Sequence, residues 1–170
     1  MKTRLVRFAL IALAILLLPL AVTSAKGPFD KVVISGPDLP VALEVTDSER
    51  LQALGMIELM DIHHRVDAPA ETGPGYELTR YGYHDVRETY VAFDSVIYYP
   101  AASDGLPYVY YVGIINGSSE YDRRWYPATA EGDWAMRDIL SEAGVAAPGQ
   151  PLPWTLAEVI ARVDHWLGRP

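Results

Sequence analysis

Residues 76–116 read YELTRYGYHDVRETYVAFDSVIYYPAASDGLPYVYYVGIIN, and this stretch decides the fold. It holds three runs rich in β-branched and aromatic residues: YELTRYGYH (76–84), YVAFDSVIYYP (90–100) and PYVYYVGIIN (107–116). Such runs are the strand signal. The connectors DVRET and AASDGL are too short for a crossover, so neighbouring runs pair antiparallel as a meander. NGSSEYDR (116–123) then turns the chain into a short fourth strand around RWYPA.

Alternation along a strand sorts these side chains onto two faces. In the third run Tyr108, Tyr110, Val112 and Ile114 share one face, and Val109, Tyr111, Gly113 and Ile115 the other. In the second, Val91, Phe93, Ile97 and Tyr99 fall together, opposite Tyr90, Ala92, Val96 and Tyr98. In the first, Tyr76, Leu78, Arg80 and His84 oppose Glu77, Thr79, Tyr81 and Tyr83. Both faces of the second and third runs are largely apolar, so both need cover. Helices supply one cover. AEGDWAMRDILSEAG (130–144) has Thr129 as N-cap, Met136, Ile139, Leu140 and Ala143 at helical spacing, and Gly144 at its stop. The other face suits side chains with an apolar body and a polar tip. All eleven tyrosines lie between Tyr76 and Tyr126.

Working upstream, KVVISG (31–36) and VALEVTD (41–47) read as a β-hairpin turned by PDLP. Thr46 and Glu49 form a T-x-x-E capping box that starts a helix through SERLQAL, with Gly55 as its C′ residue. MIELMDIHHRV (56–66) has no clean period, and DAPAETGPG (67–75) is a loop. Downstream, VAAPGQPLP (145–153) is a Pro-rich linker. WTLAEVIARVDHWLG (154–168) repeats the capping box at Thr155 and Glu158, and Leu156, Val159, Ile160, Val163 and Leu167 form one amphipathic stripe. The expected fold class is α+β: an antiparallel β-meander with an N-terminal β-hairpin and helices packed mainly on one face.

The N-terminus predicts export. Lys2, Arg4 and Arg7 precede the apolar run Phe8–Val22, and Thr23 and Ala25 suit cleavage before Lys26. The rival is an uncleaved anchor, but the 15-residue apolar run covers roughly 22 Å as a helix, against a core of ~30 Å. Either way the basic end stays inside and the remainder lies outside the cytoplasmic membrane. Residues 1–25 are therefore read as a cleavable signal peptide or N-terminal membrane anchor, and 26–170 as one domain. The membrane is a partner only through residues 8–25.

All 22 acidic residues lie beyond residue 25, against 11 basic ones once the three N-terminal cations are set aside, a net charge of −11. That field repels phosphate backbones, so nucleic acid is not expected as a partner. Without cysteine the fold rests on its core alone, and thiol or Cys-zinc chemistry is excluded. Eleven Arg against three Lys, with abundant Ala, Gly and Pro, suggest a GC-rich bacterial source.

No nucleophile elbow, H-E-x-x-H, phosphate loop or calcium loop is present, so catalysis has no local support. His63 and His64 sit near Asp61 and Asp67, and His84 beside Asp85. Adjacent residues diverge on either a strand or a helix, so no metal or cofactor is expected there. Asp94 sits mid-strand among apolar residues and needs donors if buried, for which Arg80 or tyrosine hydroxyls serve. An extracytoplasmic hydrolase using Asp94, Glu77 or His84 at the meander edge is the alternative function. A membrane-anchored sensor or assembly domain is another.

The leading expectation is a non-catalytic binding domain. Tyr81, Tyr83, Tyr108 and Tyr110 on the sheet would join Tyr121, Arg123, Arg124, Trp125 and Tyr126 from the hairpin loop and fourth strand, flanked by Arg80. These residue types are enriched at binding hot spots, and planar aromatics stack on sugar rings. The partner is a protein, a polar small molecule or a glycan. The competing structural role is cross-strand tyrosine pairing, worth roughly 0.2–1 kcal/mol per pair.

Overall fold

A computed structural model of the chain describes residues 29–114 and 118–153. The expected signal segment and the expected C-terminal helix lie outside the described residues, as do Asn116 and Gly117 of the NGSS turn. Six strands form one antiparallel sheet: β1 (Lys31–Ser35), β2 (Leu43–Val45), β3 (Tyr76–His84), β4 (Thr89–Tyr99), β5 (Tyr108–Gly113) and β6 (Arg124–Pro127). Their spatial order is β2-β1-β3-β4-β5-β6. The meander continues one after another from β3 to β6, and the N-terminal hairpin adds β1 beside β3. Helices α1 (Ser48–Ala53), α2 (Met56–Leu59) and α3 (Ala130–Glu142) complete an α+β fold.

Cross-strand partners fix the faces. Ile34 lies beside Leu78, Leu78 beside Val96, Val96 beside Tyr111, and Tyr98 between Tyr76 and Val109. All are buried, together with Leu51, Leu59, Met136, Ile139 and Leu140 from the helices. Each aliphatic side chain so removed from water contributes roughly 1.5–3 kcal/mol. The three helices thus share one face of the sheet. α3 comes close: a Cβ on Gly132 would stand 2.5 Å from the Leu59 Cα, so only glycine fits there.

Two local expectations are corrected. Helix α1 is capped by Asp47, whose carboxylate accepts from the Arg50 amide at 3.0 Å, and Thr46 takes no part. Gly55 does not adopt the left-handed turn of a helix stop. Its φ of −60° and ψ of 164° make it the N-cap of α2. Thr129 does cap α3, accepting from Gly132, and Gly144 ends it at φ 79°.

The third correction concerns β4. Arg80 pairs with Asp94, but Tyr81 pairs with Ala92, so Phe93 is an extra residue, a β-bulge. The bulge inverts the alternation below Asp94. Tyr90 and Ala92 join Ile97 and Tyr99 on the face away from the helices, and Val91 falls on the helix side.

The face away from the helices is partly covered by chain. Segment 60–66 extends the β6 edge through bridges Met60 to Ala128 and Val66 to Trp125. The chain then crosses towards β3, bridging Thr72 to Ala102. Gly75 lies against Ile97 and Tyr99, where a Cβ would come within 2.8 Å of both.

Candidate functional site

The face away from the helices carries aromatics at both ends. At one end Trp125 is stacked between Tyr99 and Tyr110, at centroid distances of 5.1 and 5.0 Å. This group is half-buried, with the Val66 amide bonded to the Trp125 carbonyl. Burial raises the pKa of the Tyr99 hydroxyl, and neighbouring Tyr110 adds to the shift. Tyr108 donates to Asp104 at 2.7 Å. That bond pushes the Tyr108 hydroxyl up to about 12 and holds the Asp104 carboxyl below its ordinary range. These side chains are already occupied with one another.

The other end is open. Pairing of β1 with β3 stops at Lys31–Tyr81, and pairing of β5 with β4 stops at Asp94–Gly113. Residues 89–93 of the β3–β4 hairpin therefore have β3 on one side and, among the described residues, no paired strand on the other. Tyr83 and Tyr90 face each other edge-on at 5.3 Å. The Lys31 ammonium sits 4.5 Å from the Tyr90 ring and 5.4 Å from Tyr81, and pairs with Glu44 at 3.2 Å. An open cleft of about 470 Å³ is lined by Asp30, Tyr83, Asp85 and Tyr90. Tyr83, Val86, Tyr90, Val91, Phe93, Val112 and Ile114 are seven of the eleven large apolar side chains exposed among the described residues. Val86, at the hairpin tip, is 90 % exposed.

The remaining candidates separate. Tyr126 and Arg124 pair with Val109 and Tyr111 on the helix side, and Tyr126 is 2 % exposed. Tyr121 packs on Tyr126 at 6.5 Å and takes part in the core. Arg123 is exposed, in the left-handed region at φ 54°. The Arg124 Nε is buried without a partner among the described residues. The structure thus brings Tyr81, Tyr83, Tyr108, Tyr110 and Trp125 to one face, but divides them between its two ends.

Arg80 is no flanking cation of a surface site, because it is buried. Its Nε and Nη2 donate to both Asp94 oxygens at 2.6 and 2.7 Å, and Tyr111 donates to Asp94 at 2.9 Å. Its guanidinium lies 5.5 Å from the Phe29 ring and 5.8 Å from Tyr111. Asp94 and Glu77 face opposite sides of the sheet, and His84 lies at the hairpin end. The three residues of the hydrolase alternative do not converge. His64 pairs with Asp61 at 2.6 Å. Burial works to raise the Asp61 carboxyl, but bonds from His64 and the His63 amide outweigh it, leaving it below the ordinary range. No group of three metal-ligating side chains converges among the described residues.

Sequence reasoning passed over a second buried cluster. Asp133 is fully buried and accepts from Tyr98 at 2.5 Å, from Arg137 at 3.0 Å and from the Leu152 amide at 2.8 Å. Arg137 donates onward to carbonyls of Pro100, Ala147, Pro148, Gly149 and Gln150. It also passed over Lys31, Tyr90 and Phe93 at the open end. No pattern in the sequence marks either group: the register that makes Phe93 an extra residue is set by the cross-strand pairing itself. The chain matches no protein-family model, no curated protein and no solved structure.

Proposed function

We propose that this is an exported bacterial binding domain, acting outside the cytoplasmic membrane without catalysing a reaction. Its ligand is met at the β3–β4 hairpin, by Tyr81, Tyr83 and Tyr90 with Lys31 beside them. The observation that carries this reading is the concentration of exposed apolar side chains at that one end. A monomer leaves such surface open where something binds. Tyrosine beside an ammonium suits a protein surface first and a polar small molecule or glycan second.

The test replaces Tyr83 and Tyr90 together by Ala and follows photo-crosslinking from position 86 in the cell envelope of the host. Expected is one discrete crosslinked partner, lost in the double variant while the melting temperature stays within a few degrees. Equal crosslinking in both proteins would refute the site.

One observation favours a second reading, a membrane-anchored sensor or assembly domain. Phe29 packs on Phe93 at 6.2 Å, and Asp30 accepts from the Tyr83 amide, so the chain enters the domain at its exposed end. Four residues from Ala25 to Phe29 span at most about 14 Å. A retained anchor would hold the hairpin against the bilayer. Mass spectrometry separates the two: a chain beginning at Lys26 is free, and one retaining residues 8–25 is tethered.

A further inference from the structure

Residues 145–153 have the composition of a flexible linker, yet side chains of α3 hold most of that backbone. Arg137 gathers the carbonyls of four consecutive residues, Ala147 to Gln150. Asp133 then takes the Leu152 amide, and the Trp134 indole donates to the Leu152 carbonyl at 2.9 Å. Burying a carboxylate completely is expensive unless it is fully partnered. Here the partners include the backbone of the segment that would otherwise swing freely. The clasp fixes where the chain goes next.

It goes into a groove. Leu152 and Pro153 line a cleft of about 500 Å³ at α2 and the start of α3, together with Ile57, Met60, Ile62 and Ala130. The lining is mainly apolar, with Asp61, His63 and Thr129 among it, and Ile57 is 62 % exposed. The next residue is Trp154, and 17 residues remain. They carry the capping box at Thr155 and Glu158 and the stripe Leu156, Val159, Ile160, Val163 and Leu167.

We propose that this groove is the docking site for residues 155–167 of the same chain, held as an amphipathic helix by that stripe. Three features select this occupant. The groove is apolar where the stripe is apolar, the segment begins at the groove wall, and the clasp gives it almost no slack. A tether this short makes docking intramolecular, at an effective concentration of roughly millimolar or above, so cis docking precedes binding of a second copy. This assignment is independent of any ligand at the β3–β4 hairpin.

Amide hydrogen exchange on the full chain tests it. Amides of 155–167 are expected to exchange at least ten-fold more slowly than in Ile57→Lys or Val159→Lys. Amides of Leu78 and Val96 should keep their protection in both variants, which separates lost docking from lost folding. Unprotected exchange across 155–167 in the unaltered chain overturns the proposal. So does protection that survives Ile57→Lys, which would place the segment elsewhere. Protection that grows with protein concentration alongside a dimer in sedimentation would make the occupant a second copy and also overturn it.

Discussion

The described residues contain two buried Asp–Arg–Tyr clusters, and they differ in what the arginine does with its spare donors. In the first, Arg80 and Asp94 are direct cross-strand partners, and Tyr111 completes the carboxylate. Beyond Asp94, Arg80 has a 3.4 Å bond to the Leu54 carbonyl and the flanking rings of Phe29 and Tyr111. In the second, Asp133 and Arg137 lie one turn apart on α3, and Tyr98 reaches them from the sheet. Arg137 has a further five backbone carbonyls. The first cluster is closed on itself and locks two strands. The second is open on one side and organises a loop.

Removing each carboxylate should tell the two clusters apart most clearly. Asp94→Ala leaves Arg80 charged and buried without a counterion, and is expected to cost about 3–5 kcal/mol in urea unfolding. Asp133→Ala is expected to cost less, about 3 kcal/mol, because Arg137 keeps its carbonyls. It should also open residues 147–153 to proteolysis, which Asp94→Ala should not. Equal costs with equal proteolysis would show that the carbonyls contribute nothing to holding Arg137.

The tyrosines of the two clusters contribute less. Tyr111→Phe and Tyr98→Phe each remove one donor from a carboxylate and are expected to cost about 1.5–3 kcal/mol. Burial raises both hydroxyl pKa values, with the neighbouring aspartate adding to it. Their folded-state values therefore lie above those of the unfolded chain. The corresponding stability is complete below about pH 10 and declines as pH rises from there, when only the unfolded chain ionises. Alkaline unfolding followed by tyrosine absorbance should show the two groups ionising only as the fold is lost. The loss of stability above pH 10 should be shallower in the double Phe variant.

The first cluster was legible in the sequence and the second was not, and the reason is geometric. Asp94 stands among strand residues that must be buried, so its need for Arg80 or a tyrosine follows from the pattern alone. Asp133 and Arg137 are spaced four apart on a helix, where such a pair ordinarily sits in water. Only the docking of α3 on Leu59 turns them inward. Likewise the separation of Tyr108 and Tyr110 from Tyr111 follows from period two and is seen in the sheet. The faces of Tyr90, Val91 and Phe93 do not follow, because one unpaired residue inverts the count. The uneven stretch 56–66 resisted reading since it is one helical turn followed by an edge extension, too short for either period to show. At the candidate site, composition picked out aromatic residues but not which were already satisfied: Trp125 and Tyr108 have partners inside the fold, and Tyr83 has open solvent.

Helix α3 also has a bearing on timing. It alone brings Met136, Ile139 and Leu140 over the sheet, and it is the last described element in the chain. Strands emerging earlier therefore have only the part of their roof that Leu51 and Leu59 supply from α1 and α2 until residue 140 is available. Domains generally fold as units once their parts are present. A chain still emerging would on this account keep part of that face uncovered, and close it only when α3 has arrived. The architecture itself postpones closure of the core until α3 is in place.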